Sequence, residues 1–120
     1  MKEELIEQSL IEAGFDYKGS VKRFSNITAM YYKYLIKFKE DASFETALNA
    51  MKIYDLQKMY EAVHSLKGVS GNLGIDTLYF ACQNVIVAIK NNSIEEIKNN
   101  MQLLTIEYNK SINIINEIFC

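Results

Sequence analysis

The chain contains one histidine, His64, within the stretch Asp55 to Gly74, DLQKMYEAVHSLKGVSGNLG. Lys67 and Gly68 follow it three and four positions later, and Gly71 comes one further turn along. On a helix those spacings make the four residues surface neighbours. A neutral imidazole, with an ordinary pKa of about 6.5, offers a ring nitrogen as a nucleophile. Attack on a phosphoryl group needs an exposed nitrogen, an in-line approach and positive charge near the transferring oxygens. His64 supplies the nitrogen, and Lys67 supplies the charge. Each mid-helix glycine costs about 1 kcal/mol relative to alanine, so two beside one histidine need a reason. Room is that reason: Gly68 and Gly71 leave space for something bulky on the ring.

These residues must be presented by one helix. Leu56, Met59, Val63, Leu66, Ser70 and Leu73 recur three and four residues apart, the stripe of a helix packed on a core. At about 100° per residue, His64 points roughly 130° away from the centre of that stripe and faces water. Asp55 caps the helix and Gly74 ends it, which sets its span at about 55–73. By helical projection Gln57, Tyr60, Glu61, Lys67, Gly68 and Gly71 share the face of His64, with Asn72 near its edge. That face is the expected docking surface. Tyr60 is either its aromatic anchor or a tyrosine lying across the neighbouring helix. Glu61 either orients the ring or is an ordinary solvated carboxylate.

The segment H-S-L-K-G, followed by Leu73 and Gly74, resembles the signature of histidine-containing phosphotransfer (HPt) domains, the relay modules of two-component signalling. The resemblance extends to Phe15–Asp41, similar to the family's short helix, turn and long helix, and to Ile75–Ile89, similar to the hairpin partner that follows the histidine helix. It implies that His64 is the phosphoacceptor, with Lys67 and Gly68 beside it. The partners it implies are receiver domains of response regulators and of a hybrid histidine kinase. The donor is then a receiver phospho-aspartate, and the receiver brings the magnesium, so no cofactor is expected on this chain. Transfer to a second receiver runs the same chemistry in reverse. Val69 stands where the family commonly has a small polar residue, and Gln83–Ile89 is more apolar than usual.

No nucleotide-binding glycine motif, P-loop or carboxylate cluster for magnesium is visible. A phosphotransfer protein without autonomous ATP-dependent kinase activity is therefore expected. Three other readings compete. One is a structural bundle carrying an ordinary surface histidine. Another is the phosphoacceptor helix of a histidine kinase, which usually has an acidic residue after the histidine and a nearby proline; here Ser65 follows, and the chain has no proline. The last is a non-catalytic docking module, which is expected to lack the histidine.

The chain has 120 residues, enough for a single domain spanning 1–120. Its hydrophobic fraction of 49% and charged fraction of 23% are those of a globular protein. A net charge of −2 without a Lys/Arg cluster leaves no footprint for nucleic acid. No apolar run approaches the roughly 20 residues that cross a membrane, and MKEELIEQ has no signal core. A cytoplasmic monomer is expected, and the start at Met1 with an end inside a helical repeat favours a free-standing protein. Cys82 fits a core position and Cys120 an incidental terminal thiol, too few ligands for a zinc site.

The absence of proline, with abundant Leu, Ile, Lys and Glu, favours uninterrupted helices. An all-α, up-down-up-down four-helix bundle is expected, with helices at about 28–52, 55–73, 76–91 and 94–119. Short helices over Glu3–Ala13 and from Asp16 to Phe24 cover one end. Within 28–52 the apolar phase drifts, so a break near Asp41 with Ser43 as a new cap is the alternative; the HPt resemblance favours the continuous form. Leu78, Cys82, Val85 and Ile89 form one stripe, and Ile97, Met101, Leu104, Tyr108, Ser111, Ile115 and Ile118 another. Ser93 with Glu96 reads as a capping box.

Overall fold

A computed structural model describes residues 2–119, so the expectation for Cys120 lies outside the described residues. The elements are α1 (Glu3–Glu12), α2 (Tyr17–Arg23), α3 (Thr28–Lys37), a 3₁₀ turn (Phe38–Glu40), α4 (Ser43–Lys52), α5 (Leu56–Asn72), α6 (Asp76–Lys90) and α7 (Ile94–Phe119). No strand occurs among the described residues. The all-α bundle is the fold. α4 packs on α5, α5 on α6, and α6 on α7, while α3 meets α7.

The stripes read from the sequence are the buried faces. Met59, Val63, Leu66 and Ser70 of α5 are buried, as are Leu78, Cys82 and Val85 of α6. Along α7, Ile97, Met101, Leu104, Ser111, Ile115 and Ile118 are buried, with Tyr108 half-buried beside them. Caps fall where expected. The Lys58 N–H donates to Asp55 Oδ1 at 3.1 Å, and the Glu96 N–H donates to Ser93 Oγ at 3.3 Å.

The continuous helix over 28–52 is corrected: the chain breaks between α3 and α4. Asp41 turns extended, at φ −69° and ψ 127°, and its Oδ1 accepts the Ser43 N–H at 2.9 Å. The cap is thus the Asp41 carboxylate, not Ser43. Packing gives the reason. On one continuous helix Phe38 and Phe44 would point about 120° apart. Here both reach Tyr108, with ring centroids 5.9 Å and 4.1 Å away. Of the helically spaced apolar residues Ile27, Tyr31, Tyr34, Leu35 and Phe38, three are buried, whereas Ile27 is 50% and Tyr34 44% exposed.

The short N-terminal helices cover the end where α5 turns into α6. Gly74 closes α5 at φ +72°, with its own N–H donating to the Gly71 carbonyl and the Ile75 N–H to the Ser70 carbonyl. The Asp16 N–H donates to the Gly74 carbonyl at 2.9 Å. Arg23 donates to the carbonyls of Asn72 and Gly71 at 3.2 and 3.0 Å, and Tyr31 Oη donates to that of Leu73 at 2.8 Å. The Asn72 and Leu73 carbonyls have no backbone partner at this helix C-terminus, and Arg23 of α2 and Tyr31 of α3 supply the donors.

Candidate functional site

His64 sits on the exposed face of α5, opposite a row of fully buried neighbours. Burial of Met59, Val63 and Leu66 fixes the rotation of the helix, and the rotation puts the imidazole in water. The α4 edge of this face is tied down by Ser65, whose Oγ lies 3.2 Å from Ser43 Oγ. The α6 edge is formed by Lys67 and Gly71 against Tyr79.

The face holds the expected residues in distinct roles. Tyr60 is half-buried against the core, and its ring lies parallel to His64 (interplanar angle 2°), with centroids 5.9 Å apart. It packs against the core and also flanks the imidazole. Glu61 Oε1 accepts a hydrogen bond from Gln57 Nε2 at 3.1 Å, an exposed pair one turn from the histidine. Asn72 is exposed, and its backbone carbonyl is one of the two held by Arg23.

The two glycines separate. A Cβ on Gly68 would meet nothing within 4 Å, so the space beside His64 is open there. A Cβ on Gly71 would approach Tyr79 Cδ2 at 3.1 Å and Cε2 at 3.4 Å. The expectation that Gly71 also clears the approach to His64 is corrected: its missing side chain is space occupied by the Tyr79 ring. Lys67, half-buried, carries its Nζ 5.2 Å from the centroid of that same ring. Sequence spacing gave no signal for Tyr79, because nothing in the α6 stripe links its first turn to Lys67.

Val69, the departure noted in the signature, is half-buried. With Asn72 and Leu73 it lines a groove of about 450 Å³ whose other wall is Phe24, Tyr34 and Phe38. Cys82 lies inside the bundle, where burial pushes its thiol up to about 12 against the opposing pull of the Lys67 charge. It is a core residue, as its spacing implied. Among the described residues no group of three or more His, Cys, Asp or Glu side chains converges, and no helix is long and apolar enough to cross a membrane.

Chemically, the arrangement offers one solvent-facing nucleophile, an adjacent cation and an unobstructed lane over Gly68. A family model described as Hpt domain matches residues 39–111, more than half of the chain and inclusive of α4, α5 and α6. No match was found among curated proteins or among solved structures.

Proposed function

The chain belongs to the Hpt domain family, the phosphotransfer modules of two-component signalling, and from that premise we propose that His64 is its phosphoacceptor. A ring nitrogen of His64 attacks the phosphorus of a receiver phospho-aspartate. The P–N bond forms as the aspartyl P–O bond breaks, and the carboxylate leaves with the electron pair. Lys67 offsets charge on the transferring oxygens, and Gly68 leaves the lane through which they arrive. The receiver supplies magnesium and the remaining catalytic groups. A second receiver then takes the phosphoryl group by the reverse displacement, so the protein is a relay and not a kinase. We place it in the cytoplasm, acting as a monomer on receivers of response regulators and of a hybrid histidine kinase. Gln57, Tyr60, Glu61, Gly71 and Asn72 form the surface against which those receivers dock.

The observation that carries this reading is the pairing of an exposed His64 with open space at Gly68 on a helix whose opposite face is fully buried. Nothing about core packing requires a glycine at that position. The test is incubation of the protein with a labelled, phosphorylated receiver domain, followed by transfer measurements on wild type and His64→Gln. Label is expected on wild type alone, in an acid-labile form. Equal labelling of both proteins would remove His64 from the reading.

A further inference from the structure

We infer that Tyr79 is a positioning residue for phosphotransfer: its ring holds the Lys67 ammonium at the edge of the His64 face without neutralising it. The inference rests on His64 being the phosphoacceptor. Lys67 Nζ lies 5.2 Å from the Tyr79 ring centroid, inside the roughly 6 Å over which a ring's quadrupole attracts a cation. Among the described residues Lys67 has no ion-pair partner. That distinction matters chemically. A carboxylate would orient the ammonium and cancel the charge that an incoming phosphoryl group needs. An aromatic face orients it and leaves the charge intact.

The surroundings are built to seat this ring. Gly71 leaves the space that Tyr79 fills, since a Cβ there would press on Cδ2 at 3.1 Å. The Tyr79 N–H is anchored to the Ile75 carbonyl at 2.9 Å, in the first turn of α6 after the tight Gly74 turn. A lysine on a free four-carbon stem must give up rotamer freedom to meet an anion, and a seated one has already given up part of it. Three features otherwise unrelated, Gly71, Tyr79 and the unpaired Lys67, are explained together.

The test uses the whole chain and phosphoramidate as the phosphoryl donor, so no receiver is required. The ring nitrogen of His64 displaces ammonia from phosphorus, and phosphohistidine formation is followed by phosphorus NMR. Tyr79→Leu is expected to slow labelling by about three- to tenfold, while Tyr79→Phe stays within about twofold of wild type, because the ring carries the effect. In a Lys67→Met background, Tyr79→Leu is expected to change nothing further. The Lys67 ε-methylene protons should show a ring-current shift in wild type and Tyr79→Phe that is lost in Tyr79→Leu. Wild-type labelling rates in Tyr79→Leu overturn the inference, as does an equal slowing in the Lys67→Met background. Failure of a phosphorylated receiver to label His64 of the wild type contradicts the proposed function instead, and so separates the two.

Discussion

Two glycines one turn apart on the same helix serve different neighbours, and substitution should separate them. At Gly68 an added methyl meets nothing within 4 Å, so Gly68→Ala should raise stability by up to about 1 kcal/mol from helix propensity alone. Gly68→Gln should fold equally well and transfer phosphate far more slowly, because its side chain overhangs the imidazole one turn earlier. At Gly71 the same methyl sits 3.1 Å from Tyr79, so the propensity gain is offset by displacing the ring. Gly71→Ala should therefore melt below Gly68→Ala. Thermal melts of both alanine variants, with a transfer time course for Gly68→Gln, check the set; a Gly68→Gln protein transferring at the wild-type rate would show that the glycine does not serve access.

The histidine helix is held at its C-terminal end by residues far from it in sequence. Arg23 bonds two carbonyls of α5 and Ser20 Oγ at 2.9 Å, and Tyr31 Oη bonds a third α5-end carbonyl. Arg23→Met keeps the length of the side chain and removes these donors. It should cost about 1–2 kcal/mol in urea denaturation, since the freed carbonyls regain only part of their bonding from water. An unchanged midpoint would mean that the clamp contributes nothing. The stripes of α5, α6 and α7 were legible in the sequence because burial imposes a 3.6-residue period that residue types record directly. The Arg23 clamp was not, because a side chain reaching 48 residues along the chain to a backbone carbonyl leaves no period. Asp41 illustrates a middle case: the drifting phase around Phe38 and Phe44 marked the break, and the choice between break and continuity was settled only by both rings packing on Tyr108.

As a whole the molecule is a rod of 45 × 25 × 21 Å, close to the roughly 39 Å length of the 26-residue α7 that spans it. Its interior holds groups that resist ionisation. Burial pushes the Cys82 thiol up to about 12 from 9.0 and the Tyr31 hydroxyl up to about 12 from 10.0, and it also raises Tyr108. A raised folded-state pKa gives stability that is complete below the unfolded value and is lost as pH climbs toward the folded one. Urea midpoints should thus stay level up to the ordinary thiol value of 9.0 and fall steadily above it, with Cys82→Ala flattening the onset. A midpoint constant to a pH of about 11 would contradict this placement of the buried groups. The water-facing place of the single histidine was legible from sequence because His64 falls off the buried α5 stripe; the meeting of Tyr79 with Lys67, which depends on the α5–α6 contact, was not. The most direct test of the whole account is to map the phosphoryl group after transfer from a phosphorylated receiver domain. It should reside on His64 alone, be lost in acid, and be absent from a folded His64→Gln protein. Phosphate mapped to any other side chain, or full labelling of His64→Gln, would contradict the account.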